Sequence, residues 1–393
     1  MIMTREDIRE LAQFQTKQGE ACALSFYFQP RTPQNKSHRE EAILAKDLVR
    51  NALREAEKGG KNGCARADLN RILDLAGNLH GNQARAKAVF ACSAENFWRE
   101  FDLPPQLPGT QLFVNRRFNL KPLGPLLGAQ PRLSVTLVDR QRARFFDLRL
   151  DELKEREGLF HKLPRRGRSD GFRGYDGGHA ERRTADEAMH HFKAVAERLK
   201  EELEKGLWEK LIVGCHDSNW SEFESHLHPY VRQRLLGHFS TDVANVSTEQ
   251  IREQASRILR EALDERRQTL VKEVLDQAKS NNRGITGVRR VLRSLELGEV
   301  QTLFLGENFS ARAVECTNCG HLDSHMVPYC VVCGRATREL EDVCDAIVPA
   351  AIRRDVELFY VKNDPEFDRV GNIAALLRFR ADQNRSGQIS AAS

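Results

Sequence analysis

Apolar positions along this chain switch repeatedly between a spacing of two and a spacing of three to four, which predicts strands alternating with helices. Ala23-Leu24-Ser25-Phe26-Tyr27-Phe28 reads as a strand that ends at Pro30. Ile43, Leu44, Leu48, Val49, Ala52, Leu53 and Ala56 then mark one face of a helix with charges on the other. Lys87-Ala88-Val89-Phe90-Ala91-Cys92 predicts a second strand. Two Pro-rich segments, Leu103–Gly109 and Pro122–Pro131, interrupt regular structure. The second sets a boundary and leaves an N-terminal α/β domain over 1–126.

A middle α/β domain over 127–246 opens on a hairpin, Leu133–Val138 and Ala143–Leu148, joined by Asp139-Arg140-Gln141-Arg142. Beyond a glycine-rich stretch, Thr184-Ala185-Asp186-Glu187 predicts a sharp helix start, with Thr184 as cap and Glu187 three residues on. Met189, Phe192, Val195, Ala196, Leu199 and Leu203 form that helix's apolar stripe. Lys210–Gly214 is a short buried strand, and Phe223, Leu227, Val231, Leu235 and Leu236 predict one more helix.

A C-terminal α/β domain over 247–393 begins at Ser247-Thr248-Glu249-Gln250 with a highly charged helix running to about Lys279. Gly284-Ile285-Thr286-Gly287 interrupts it, and a helix over Val288–Leu295 follows, stopped by Gly298. Val300–Leu305 is a strand. After four cysteines come a helix over Val343–Arg353 and strands at Val356–Val361 and Ile373–Phe379. The polar tail from Asp382 is expected to be disordered.

Bulk numbers narrow the class. With 393 residues, two or three separate cores are expected. A net charge of +5 is too small for binding nucleic acid by bulk attraction, so any such affinity must come from local clustering. No apolar run approaches the ~20 residues of a membrane span. The start, Met1-Ile2-Met3-Thr4-Arg5-Glu6-Asp7, lacks the pattern of a secretory signal. Of nine cysteines, four are paired in sequence and five (Cys22, Cys64, Cys92, Cys215, Cys344) are scattered. Isolated thiols suit a reducing compartment, so a cytoplasmic location with no membrane partner is expected.

Local clustering is found between His161 and Arg183, with seven Lys/Arg against three Asp/Glu, and five glycines. Such a segment has too little apolar surface to fold on itself. Its glycines permit close backbone approach, and its charge makes phosphate the natural partner. Gly177-Gly178-His179, with Arg173, Arg182 and Arg183, is therefore the candidate RNA-binding group, the alternative being a solvated surface loop.

The strongest chemical signal is Cys316-x2-Cys319 followed by Cys330-x2-Cys333, with Gly320 and Gly334 after the pairs. Four thiolates converging on one point suit tetrahedral zinc. A closed four-thiolate site leaves no open position, so Zn2+ here is structural; a redox pair is the alternative reading. The other histidines, including His190, His191, His226 and His228, show no catalytic spacing with Cys or Ser.

Leu295-Glu296-Leu297-Gly298-Glu299-Val300-Gln301-Thr302-Leu303 resembles the third-domain "A-L-E-x-G-A-V" signature of the archaeal and eukaryotic class-I release factors and their relative Pelota. Gly371-Asn372-Ile373-Ala374-Ala375-Leu376-Leu377-Arg378-Phe379 resembles that family's closing "G-I-x-A-I-L-R-Y" strand. Gly177-Gly178-His179 occupies the place of the family's Gly-Gly-Gln loop. The resemblance spans about 130–393 and is weaker over 1–126. It implies three α/β domains that together imitate a tRNA in the ribosomal A site, the middle one RNase H-like and the last an α/β/α domain carrying a zinc ribbon. It also implies a 70S ribosome partner, with contacts to rRNA of both subunits or the P-site tRNA end. A translational GTPase, EF-Tu in a bacterium, is the implied docking partner. The bacterial branch of this superfamily includes a ribosome-hibernation factor.

The departures from the family set the functional expectation. In release factors the loop glutamine helps place a water against the peptidyl-tRNA ester, whereas His179 stands here. A bulkier imidazole beside rRNA phosphates suits anchoring, which is preferred over a residue without a role and over a catalytic base. No catalytic residue is therefore assigned. Asn35-Lys36-Ser37 resembles the stop-codon tetrapeptide but lacks its apolar residue, and Asn35 or Ser37 serves equally as a helix cap. The expected function is ribosome binding in the A site, as hibernation or protection without peptide release. The alternative is a peptidyl-tRNA hydrolysing release or rescue factor. An RNA-processing enzyme finds no acidic metal cluster in the sequence.

Overall fold

The computed structural model describes residues 3, 5–16, 22–30, 38–57, 63–78, 86–103, 109–124, 131–149, 152–161 and 177–380. Contacts divide the chain into two compact units, 1–129 with 267–393, and 130–266. The N-terminal part of the first unit contains α1 (Arg5–Gln13), β1 (Ala23–Phe28), α2 (His38–Glu57), α3 (Arg66–Asn78), β2 (Ala86–Cys92), β3 (Phe97–Leu103) and β4 (Gln111–Asn115). Its strands form an antiparallel sheet in the order β3-β2-β1-β4. Every residue of β1 is buried because both its faces are covered. Leu24, Phe26 and Phe28 join Val49, Leu69 and Ile72 of α2 and α3 in one cluster, and Ala23 and Tyr27 belong to another on the opposite face. Burial on both faces is why the run is continuously apolar instead of alternating. Its two hydroxyls are both satisfied, Ser25 accepting from the backbone amide of Asn119 at 3.0 Å and Tyr27 donating to the Asn119 carbonyl at 2.6 Å.

Cys22 and Cys64 correct the reading of isolated thiols. Cys64 lies in a short 3-10 turn, Gly63–Ala65, that folds back beside the start of β1. Their Cα atoms come to 5.5 Å, and the two side chains form a disulfide across 42 residues. Cys92, Cys215 and Cys344 are free and buried.

The second unit contains β5 (Leu133–Val138), β6 (Arg142–Arg149), β7 (Glu152–Phe160), α4 (Gly177–Glu204), β8 (Lys210–Cys215), α5 (Asp217–His226), α6 (Pro229–Arg232) and β9 (Leu235–Phe239). It also takes the first part of α7 (Thr248–Lys279). The sheet runs β7-β6-β5-β8-β9, antiparallel through β5, β6 and β7 and parallel through β5, β8 and β9. Leu211 and Val213 cluster with Phe192, Val195 and Leu199 of α4, whereas Ile212 clusters with Ile251, Ala255 and Ile258 of α7. The period of two in β8 thus sorts its residues between two helical layers.

Two expectations fail here. α4 starts at Gly177, seven positions before Thr184, because Ala180, Glu181, Arg182 and Arg183 are themselves good helix formers. Leu235 and Leu236 do not continue a helix from Phe223. Pro229 opens the separate turn α6, and Leu235–Phe239 pairs in parallel with β8. Pairing with a distant strand outweighed the helical spacing of these leucines.

The C-terminal part of the first unit contains β10 (Gly284–Thr286), α8 (Val288–Glu296), β11 (Val300–Gly306), β12 (Ala313–Cys316), β13 (Leu322–Asp323), β14 (Thr337–Leu340), α9 (Cys344–Arg353), β15 (Glu357–Val361), α10 (Pro365–Arg369) and β16 (Ile373–Leu377). One sheet runs β10-β16-β11-β15, with β11 parallel to β15 and antiparallel to β16. A small three-stranded sheet, β13-β12-β14, projects the four paired cysteines. α8 ends at Glu296, and two residues on Gly298, at φ +74°, lets the chain reverse into β11. Tyr27, Phe90 and Phe118 share one apolar cluster with Val291, Leu303 and Ile347, so the first and third sections of the sequence are held in a common core.

Candidate functional site

The two cysteine knuckles are built alike. In each, the glycine after the second cysteine sits at φ +72°, and its amide donates to the carbonyl of the first cysteine, Gly320 to Cys316 at 3.2 Å and Gly334 to Cys330 at 2.9 Å. The tight turns aim backbone amides at sulfur. Asn318 and Cys319 each donate to Cys316 Sγ at 3.4 Å, and Val332 donates to Cys330 Sγ at 3.4 Å. Donation from Cys319 and then Asn318 pulls the Cys316 thiol down to about 6. All four Sγ atoms lie within 4.8 Å of one another, with Cys316 and Cys333 at 3.3 Å and Cys319 and Cys330 at 3.6 Å. Tetrahedral thiolates around zinc stand about 3.8 Å apart, so this donor set fits a metal ion.

The knuckles rest on a buried ion network that the sequence did not reveal. Glu315, the residue before Cys316, is 3% exposed and lies between Arg117 and Arg338. Arg338 reaches it at 2.6 Å, and Arg117 also donates to it. Burial pushes the carboxyl upward, but donation from Arg117 and Arg338 together with their charges holds it below the usual glutamate range. Arg117 follows β4, so this network links the N-terminal part to the ribbon. Asn115 and Asn119 tie the N-terminal part to α9 instead, donating to Asp345 at 2.9 and 3.1 Å.

The candidate RNA-binding group is only partly within the described residues. Gly177, Gly178 and His179 form the first turn of α4, with Arg182 and Arg183 in the turns that follow. The side chains of these residues, all of Arg173, and Asn35-Lys36-Ser37 lie outside the described residues. At the foot of the glycine-rich segment the structure brings together two histidines that sequence spacing had left without a role. His161, just after β7, and the fully buried His191 of α4 place their Nδ1 atoms 2.6 Å apart. Burial holds the His191 imidazole below its ordinary value, which favours its neutral form. Thirty residues separate the two, and no local pattern signals the pair.

Residues 119–271 match the model of bacterial archaeo-eukaryotic release factor family 10. Over 313 residues the chain is 24% identical to peptide chain release factor subunit 1 of Thermococcus onnurineus (strain NA1), covering 71% of this chain and 74% of that protein. The chain is thus similar, over its middle part, to the bacterial branch of the archaeal and eukaryotic class-I release factors. Its kinship with the release factors also extends to the subunit 1 of Archaeoglobus fulgidus, 22% identical over 370 residues, or 88% of this chain and 86% of that one. Archaeoglobus fulgidus Pelota, a solved structure, is 14% identical with a TM-score of 0.35, over 77% of this chain and 82% of that one. The family match runs from Asn119 through the whole middle unit, and so includes Gly177-Gly178-His179. Among the described residues no helix is long and apolar enough to cross a membrane.

Proposed function

We propose that this chain is a member of the release factor and Pelota superfamily that binds the 70S ribosome in the A site and holds it without releasing peptide. It would thus act as a hibernation or protection factor, and its sequence resembles the factor Balon. The observation that carries the reading is His179 at the tip of Gly177-Gly178-His179, in the place of the family's glutamine. Imidazole differs from carboxamide in reach and donor geometry, and only groups aligned with the transition state accelerate hydrolysis. The position of the triplet at the start of α4 supports anchoring. First-turn amides lack intrahelical acceptors, and glycine lets a phosphate approach them closely. Arg173, Arg182 and Arg183 supply positive charge beside it, suited to rRNA or the P-site tRNA end.

Zn2+ is the ion we assign to Cys316, Cys319, Cys330 and Cys333, since all four donors are soft and the cage is closed. Its role is structural. A translational GTPase, EF-Tu in a bacterium, is the docking partner this reading implies, and the cytoplasm its location. A peptidyl-tRNA hydrolysing release or rescue factor is the competing reading, favoured by the activity named for the archaeal relatives.

Replacing Arg173, Arg182 and Arg183 together by Glu tests the reading. Binding to 70S ribosomes should weaken, and the slope of log affinity against log salt should fall by about 2 to 3, since each phosphate contact contributes roughly 0.7 to 0.9. Equal binding by variant and wild type at all salt concentrations would remove this segment from the interface.

A further inference from the structure

Two sulfurs in the N-terminal part stand apart from the chain's other cysteines. Cys22, just before β1, is 4% exposed, whereas its bonded partner Cys64, in the Gly63–Ala65 turn, is half-buried and meets solvent. The three cysteines outside both this bond and the metal cage, Cys92, Cys215 and Cys344, are buried. Burial also pushes each of their thiols upward, which suppresses the reactive thiolate. Thiol–disulfide exchange requires that the attacking group reach a sulfur, so outside the cage Cys64 is the point of entry.

The bond closes a ring across 42 residues that contains β1 and the whole of α2. It fastens the layer that covers one face of the N-terminal sheet, where Val49 of α2 and Leu69 and Ile72 of α3 pack on Leu24 and Phe26. That layer has other anchors. Thr110 donates to the buried Glu41 of α2 at 2.9 Å, and the Ser93 amide donates to the buried Asp68 of α3 at 2.7 Å. Apolar packing and these two carboxylates hold α2 and α3 without the bond, so the reduced chain keeps its fold. A bond that solvent reaches at one sulfur, and that the fold does not require, can open and close in the native protein. Disulfides in a reducing compartment are typically of this transient kind.

We infer that Cys22 and Cys64 form a reversible redox site that clamps the α2–α3 layer onto β1 when oxidised and loosens it when reduced. The co-reactant is a small disulfide of the cellular thiol pool. The Cys64 thiolate attacks one of its sulfurs, forming a mixed disulfide and expelling one small thiolate. The Cys22 thiolate then attacks the Cys64 sulfur and expels the second. Together the two cysteine thiols lose two electrons and two protons, and the small disulfide becomes two thiols. In the reverse direction a small thiolate attacks the Cys64 sulfur and Cys22 leaves. The Cα atoms, 5.5 Å apart, are within bridging range, so closure needs no backbone rearrangement. The site goes beyond the ribosome-binding reading and rests only on the cytoplasmic location proposed with it.

The test uses the full-length protein, oxidised with glutathione disulfide and reduced with glutathione under native conditions, with alkylation read at each cysteine by mass spectrometry. Cys22 and Cys64 should gain and lose the label together while Cys92, Cys215 and Cys344 stay unlabelled. On reduction, amide exchange in α2 and the Gly63–Ala65 turn should quicken and the first unit should melt roughly 10 °C lower. Exchange over 130–266 should not change, and reoxidation should restore both readouts. C22S/C64S should behave as the reduced wild type and respond to neither reagent, which separates the pair from any effect on the cage cysteines. A pair that resists glutathione until the protein unfolds is a static staple, and that result would overturn the inference. So would exchange in α2 that is equal in the two redox states. Acid trapping of the thiols in cells expressing the chain tests the location separately. Switching in vitro, with the pair wholly oxidised in unstressed cells, would sink the cytoplasmic reading and leave the redox site standing.

Discussion

Removing the metal from the full-length protein, or replacing Cys316 by Ser, will unfold the ribbon between Ala313 and Leu340 and leave the unit over 130–266 folded. The ribbon cannot hold itself by burial. Met326, Tyr329, Val331 and Val332 are 44%, 66%, 69% and 67% exposed, and few apolar residues of the segment, such as Val314 and Leu322, are buried. On the proposed zinc assignment its order depends on the ion, and binding energies of roughly 10–16 kcal/mol at structural zinc sites are ample for so short a hairpin. Hydrogen exchange across the segment and metal analysis provide the readout. About one zinc per chain is expected, with protection lost only in the ribbon after chelation. A metal-free protein with the ribbon still protected would rule this out.

Replacing Glu315 by Ala will destabilise the first unit by about 3–5 kcal/mol, the usual cost of stranding buried charges. Glu315 is 3% exposed, and its partners Arg117 and Arg338 are 14% and 17% exposed, so neither guanidinium gains full hydration when the carboxylate is lost. Acid should narrow the difference. The folded-state pKa of Glu315 is depressed, so its contribution is complete above the ordinary glutamate value of 4.5 and disappears as pH falls through the lower folded value. Denaturant unfolding of wild type and variant, at neutral pH and then in acid, measures both effects. A difference that is absent at neutral pH, or that grows on acidification, would contradict the network's role.

What the sequence made legible was local. β1, the β5–β6 hairpin, the span of α7 and the stop of α8 before Gly298 follow from runs, periods and glycines within a few residues of one another. The four cysteines belong to the same class, because their chemistry is written in a spacing of three and a glycine after each pair. Misreadings came from partners far away in the chain. Leu235 and Leu236 fit a helical stripe until β8 offers them a parallel neighbour. Cys22 with Cys64, His161 with His191, and Arg117 with Glu315 meet across 42, 30 and 198 residues, distances at which spacing carries no information. The common core of the first and third sections has the same origin: Tyr27 and Leu303 each fit a buried strand, and nothing local says that they share a cluster. The start of α4 is a different case. Two helix signals compete there, and the propensity of Ala180–Arg183 prevails over the cap at Thr184.

The central claim is that a ribosome-bound factor with His179 does not hydrolyse peptidyl-tRNA. Its most direct test is release of labelled formyl-methionine from stalled 70S complexes by the wild-type protein, with and without a stop codon in the A site. Under this account release stays at the factor-free rate in both cases, although the protein sediments with the ribosome. His179→Gln then restores weak release only if the backbone of Gly177-Gly178 already follows the hydrolytic path. Release by the wild-type protein well above the factor-free rate would contradict the account and make this chain a hydrolase with a histidine in place of the glutamine.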